Sequence, residues 1–271
     1  MTANFLSIPS ILLYLITWLL IVQCVKASIN LDNDQKKSNG RYYILWLAAL
    51  ILHILSLHFP LFQGKPLTLS FFSLASYVMW FLSLILFVIT LRRKIQSLAI
   101  FILPFTILSI ILTVLTDSAS HQAINMRSGL GLHILVSLLA YSVLMLASFQ
   151  ALLLASQNNR LHTHQTTGFT RSLPALEDME HLLFRLIGIG VILLSVALLS
   201  GFYYLEDLFG SHIAHKTILS IIAWVIFTGL LLGRWKFGWR GRTAIRWTLA
   251  GFIVLMLAFF GTKFVQEFII S

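Results

Sequence analysis

The twenty residues from Ser97 to Thr116, SLAIFILPFTILSIILTVLT, contain no charged side chain. At about 1.5 Å per residue, such a run crosses the roughly 30 Å hydrocarbon core of a bilayer as a helix. With seven further apolar runs it makes eight expected spans, at 8–25, 41–58, 71–91, 97–116, 130–155, 181–204, 216–233 and 246–265. They fill most of a 271-residue chain that is 58% hydrophobic and 10% charged, with a mean hydropathy of +0.90. That composition leaves too little polar surface to wet a soluble domain. Strands of a membrane barrel would be about ten residues long and alternate polar with apolar, and no such alternation occurs. The expected fold is all-α, a polytopic transmembrane helix bundle forming one membrane domain over residues 1–271. The first run lacks a basic leader and a small-residue cleavage site before the polar stretch 27–40, so it reads as a retained helix.

Nineteen Lys and Arg against nine Asp and Glu suggest a polyanionic partner until their positions are read. Fourteen of the basic residues fall in the odd connections: Lys26, Lys36, Lys37 and Arg41; Arg92, Arg93 and Lys94; Arg160 and Arg171; Arg234, Lys236, Arg240, Arg242 and Arg246. The even connections hold only Lys65, Arg127 and Lys216. Positively charged loops stay in the cytoplasm, so both termini are expected on the outer (periplasmic) side. The charge sets topology and meets anionic lipid headgroups, and nucleic acid is not an expected partner. The run GRWKFGWRGR, 233–242, with Trp235 and Trp239 among its basic residues, reads as an interfacial belt. Cys24 is the only cysteine, which excludes an intramolecular disulfide, a CxxC redox pair and a CxxCH haem attachment. No Gly-rich phosphate loop, nucleophile elbow or HExxH is found, and no enzymatic activity is expected.

The nine histidines sort unevenly on this topology. His58, His121, His133, His212 and His215 fall on the outer side and His53 in the outer half of the second span, whereas His162, His164 and His181 are cytoplasmic. An ionisable ring within a membrane span wants a partner and commonly marks function. His133, Ser137, Tyr141 and Ser148 form a polar stripe at near-helical spacing, expected to face the bundle interior. Two readings of His133 stand: an interhelical hydrogen bond without chemistry, or a ligand. Three stand for His212 and His215, which are one helical turn apart: wet interfacial residues, metal ligands, or an axial ligand to haem. Zinc normally takes three or four side chains, and the outer acids Asp117, Glu206, Asp207 and Glu267 show no ligand spacing with the histidines. Two imidazoles suffice for haem.

Two segments carry purely structural expectations. Pro104, in the middle of the fourth span, is expected to kink it. SLPALEDMEHLLFRL, 172–186, reads as a helix start with Ser172 as cap, Pro174 in the first turn and Glu177, Asp178 and Glu180 near the positive helix end.

Four stretches carry a family resemblance: GLHILVSLLAYSVL from Gly131, PALEDMEHLLFRLIGIGVILLSVALLSGFYY from Pro174, HKTILSIIAWVIFTGLLLGRWKFGWRGR from His215 and AGFIVLMLAFFGTKFV from Ala250. Taken together the chain resembles the cytochrome c assembly membrane proteins of the CcsA, CcmC and HemX type, nearest the short YpjD-like subgroup. The resemblance implies an eight-span bundle with both ends outside, and a non-covalent, b-type haem held near the outer face. It implies that His133 is the external ligand opening the fifth span. The HKT pattern singles out His215 over His212, and His53 matches a histidine of the subgroup. On this reading His215 faces His133 across the outer mouth of the bundle, His53 is a third participant, and Ser137 and Tyr141 support the ligands or pack. Cytochrome c assembly or haem homeostasis is the implied role, with other biogenesis membrane proteins as partners. The sequence departs from haem-delivering members in three places. No tryptophan occurs at 201–215, Leu232 stands where CcsA-like members carry an intramembrane histidine, and no histidine follows the eighth span. The rival expectations are an accessory or regulatory subunit of a divalent-cation transporter without haem, and a small transporter in its own right.

Overall fold

The computed structural model describes residues 4–30, 40–62, 70–93, 95–116, 128–162, 174–204 and 214–261. Among them every regular element is helical: α1 Asn4–Asn30, α2 Arg41–Phe62, α3 Phe71–Arg92, α4 Gln96–Leu115, α5 Ser128–His162, α6 Leu176–Tyr204, α7 Ala214–Phe237 and α8 Gly241–Met256. A π-helical turn, Leu257–Gly261, continues α8. All eight are long and apolar enough to cross a membrane. The physical cause is that hydrocarbon offers no hydrogen bonds, so the backbone must satisfy its own donors and acceptors within each segment.

The helices outrun the apolar runs mainly at the basic-loop ends. There α1 reaches Asn30, α5 reaches His162, α6 starts at Leu176, α7 reaches Phe237 and α8 starts at Gly241. Hydropathy marks only the hydrocarbon stretch, and a helix does not have to stop where the solvent changes. Pro174 precedes α6 rather than sitting in its first turn, while Glu177 and Asp178 do occupy that turn. Ser172 lies outside the described residues. Helix α4 runs continuously through Pro104. Helix α7 ends where Gly238 takes a φ of +65° and its N–H meets the Arg234 carbonyl at 3.2 Å. A left-handed glycine there satisfies a terminal carbonyl without a Cβ clash.

The chain divides into two compact units, the first containing α1–α4 and the second α5–α8. In the first, α1 packs on α2 and α4, and α3 packs on α2 and α4, closing a ring of four. Its centre is filled by Tyr14, Ile21, Trp46, Leu50, Leu82, Leu86, Leu98 and Ile102, all buried. Indole N–H groups tie the ring together. Trp18 donates to the Ile100 carbonyl, Trp80 to the Leu50 carbonyl and Trp46 to the Ser83 hydroxyl, each at 2.9 Å. In lipid, packing and such interhelical bonds hold helices together, because lipid tails are as apolar as the side chains.

In the second unit α6 and α8 flank α7. Gly190 on α6 lets Leu144 of α5 approach so closely that an added Cβ would clash with its Cδ2. Gln150 of α5 donates to the Met179 carbonyl of α6 at 3.0 Å, and Trp224 of α7 donates to Ser195 of α6 at 2.8 Å. Tyr141 of α5 packs among Phe252, Phe259 and Phe260 of α8 and its π-helical turn, at centroid distances of 5.1 to 5.5 Å. Large apolar side chains such as Leu108, Ile192 and Val225 remain exposed on helix faces that lipid would cover.

Candidate functional site

Three features of the second unit lie toward the same end: the start of α5 with His133, the end of α6 with Ser200 and Gly201, and the start of α7 with His215. The bonds between Gln150 and Met179 and between Trp224 and Ser195 show why. They pair residues of opposite sequence direction, so α5, α6 and α7 alternate up and down. Extending that register places His215 about one turn, roughly 6 Å, nearer the end of the bundle than His133.

His133 is half-buried, and its Nδ1 lies 2.9 Å from the Ser200 hydroxyl. That hydroxyl in turn donates to the Ala197 carbonyl at 2.9 Å. In the tautomer with the proton on Nδ1, Ser200 accepts from the ring while donating to Ala197, and Nε2 keeps the lone pair. Gly201 lies against the same ring: a Cβ built there would come 3.0 Å from Cε1. The side of α6 is thus closed to the ring by contact, and Ser200 sets its orientation. This is the arrangement by which a hydrogen-bonded imidazole presents its other nitrogen to a metal.

His215 is exposed, at the second position of α7, with no hydrogen-bond partner among the described residues. Of the stripe, Tyr141 and Ser148 are buried in the second unit. Tyr141 serves the aromatic packing described above, and Ser148 bonds its own helix at the Leu144 carbonyl, 3.0 Å away.

His53 lies in the first unit and is fully buried. Its Nε2 is 2.9 Å from the Ser76 hydroxyl and its Nδ1 is 3.4 Å from the Tyr14 hydroxyl, with the Tyr14 ring edge-on at 5.8 Å. Both ring nitrogens are engaged, which joins α1, α2 and α3. An iron ligand at His53 would require one of these bonds to be given up.

His58, sorted to the outer side by sequence but not singled out, bonds the Ile54 carbonyl through Nδ1 at 3.1 Å and packs edge-on against Tyr77. A carbonyl only accepts, so Nδ1 of His58 is also the protonated nitrogen. The sequence signal was its place near the end of a span, where a histidine can reach back to a carbonyl of the last turn. His212, His121 and His164 lie outside the described residues, as do Glu206 and Asp207.

The chain resembles several proteins along most or part of its length. It is 29% identical over 223 residues to inner membrane protein YpjD of Escherichia coli K12, covering 82% of this chain and 84% of that one. Shorter similarity links it to cytochrome c biogenesis protein CcsA of Gloeobacter violaceus, 30% identical over 93 residues, or 34% of this chain and 28% of that one. CcsA of Guillardia theta is 24% identical over 153 residues, covering 50% of this chain and 51% of that one. No solved structure matches significantly. The model of the family described as cytochrome C assembly protein matches residues 41–270, a stretch containing seven of the eight helices and His53, His133 and His215. With the helix bundle on one side and that match on the other, the chain belongs to the cytochrome c assembly protein family.

Proposed function

We propose that this protein is a haem-handling component of the bacterial inner membrane, acting in cytochrome c assembly or haem homeostasis, with His133 and His215 as ligands to a non-covalently held, b-type haem. One observation carries the reading: the Ser200 hydroxyl lies 2.9 Å from His133 Nδ1 at the mouth of the second unit, where it can accept from the ring and leave the Nε2 lone pair to a ligand. Haem supplies an iron that accepts two axial nitrogens. The chain's part is binding. His133 offers a pre-oriented donor, and His215 offers a more exposed one about a turn nearer the surface. The apolar surfaces of α5 to α7 would accept the macrocycle. The reading assigns no bond-making catalysis to this chain. Its partners would be haem, the bilayer and other membrane proteins of cytochrome biogenesis. His53 enters as an independent imidazole on the first unit, available to haem only in exchange for its bond to Ser76 or Tyr14.

The test is the oxidised and reduced visible spectrum of the detergent-purified protein beside His133→Ala and His215→Ala. A Soret band with bis-imidazole character in the wild type, lost or shifted in both variants at equal protein yield, is the expected result. Absence of haem from every sample after haem supplementation would sink the proposal in favour of the accessory-subunit reading.

A further inference from the structure

The first two turns of α8 carry Arg242 and Arg246, four residues apart and therefore on one face. Opposite them the last turns of α5 present Asn158 and Asn159. These four side chains, with Ala155 and Ile245, line a cleft of about 140 Å³ at the basic-loop end of the second unit. Among the described residues no carboxylate lines it. A guanidinium only donates hydrogen bonds, and an asparagine amide supplies two further N–H donors.

The cationic pair is poorly compensated by the protein. Among the described residues neither arginine is paired with a carboxylate, the ion pair found there being that of His181 with Glu177. No acidic residue occupies the first turn of α8, where the helix dipole disfavours cations. Glu180 accepts the Gly241 N–H through Oε1 at 2.7 Å and offsets one charge, but it is not part of the cleft, and Arg240 adds a further cation beside it. Arg242 and Arg246 are exposed and border an open depression whose floor is Ala155 and the buried Ile245.

We infer that this cleft binds a phosphate group, with Arg242 and Arg246 gripping its oxygens and the asparagine amides completing the contacts. Planar guanidinium forks match phosphate geometry, and charge-assisted bonds of this kind are the strong ones. The shared chemistry admits an anionic phospholipid headgroup or free phosphate. The apolar floor favours the lipid, as does the adjoining indole pair, Trp239 and Trp247, whose rings lie 5.2 Å apart with Trp247 partly exposed. Indoles gather at headgroup level.

The experiment is native mass spectrometry of the full-length protein in detergent, offered phosphatidylglycerol or phosphatidylcholine of identical acyl chains, with and without millimolar inorganic phosphate. Phosphatidylglycerol adducts should exceed phosphatidylcholine adducts and resist inorganic phosphate. They should fall about tenfold in the Arg242→Gln/Arg246→Gln double variant and remain in Arg92→Gln. The Arg242→Lys/Arg246→Lys variant keeps the charge but loses the forks, and should retain part of the binding. Inorganic phosphate that displaces the lipid in wild type but not in the Gln variant would keep the site and make the free ion its ligand. Equal adducts for the two lipids without displacement by phosphate would overturn the inference. So would a double variant of unchanged thermal stability that binds phosphatidylglycerol as the wild type does.

Discussion

The Nδ1 of His133 and the Oγ of Ser200 are 2.9 Å apart, and with the Ser200 proton directed to the Ala197 carbonyl the imidazole is the donor of the pair. One hydroxyl on α6 thus bears on which nitrogen of a histidine on α5 is left to act.

Ser200→Ala should remove that control and leave the ring in place. If His133 ligates haem, affinity should drop about tenfold, in the range typical of lost support to a metal-bound histidine. Haem titration followed at the Soret band measures it. Unchanged affinity would show that Ser200 does not prepare the ligand.

Gly201→Val should push on His133 directly, because even the first carbon of the new side chain would sit 3.0 Å from Cε1. Overpacking of this kind costs about 1–3 kcal/mol. A lowered melting midpoint together with weakened haem binding is expected, and Gly188→Val, at a glycine with open space around its Cβ position, is the control with neither effect.

Gly190→Ala should destabilise the second unit by about 1–3 kcal/mol, since the new Cβ would clash with Leu144 Cδ2. Leu144→Ala in the same chain should recover part of the loss by making room. Thermal unfolding of the single and double variants in one detergent gives the comparison. Additive losses would mean that the two helices do not meet there.

His53→Ala should cost about 2–3 kcal/mol, from the cavity and the loss of bonds joining three helices. Ser76→Ala, which removes one bond and little volume, should cost about 0.6–1 kcal/mol. The haem spectrum of His53→Ala should keep the wild-type Soret position. A shifted band would instead make His53 a ligand.

The spans were legible to within a few residues because hydropathy reads the thickness of hydrocarbon directly. The excess helix at Asn30, His162 and Phe237 was not, since those ends lie where water and helix propensity decide. Pro174 misled for a related reason: a proline is tolerated both just before a helix and in its first turn, and the spacing alone does not choose. His133 was legible as a polar residue near a span edge. Its partner was not, because Ser200 is 67 residues away and serines occur in nearly every span. His53 looked like His133 in the sequence, yet one histidine has a spare nitrogen and the other has none. The cleft between Asn158 and Arg246 carried no motif at all.

By itself the sequence determined that this chain forms eight membrane-spanning helices, and through its basic loops it states a preferred orientation, because both follow from transfer of residues between water and hydrocarbon one segment at a time. Which helix face turns inward belonged to the tertiary structure. Apart from the polar stripe of α5, whose Tyr141 and Ser148 are buried, the spans are apolar nearly all round, so periodicity does not distinguish lipid from core. Only packing decided that Trp46 meets Ser83, that Gly190 admits Leu144, and that Ser200 reaches His133. A polar side chain in hydrocarbon finds its partner either on its own helix, as Ser148 does, or on another, and distance along the chain does not predict which.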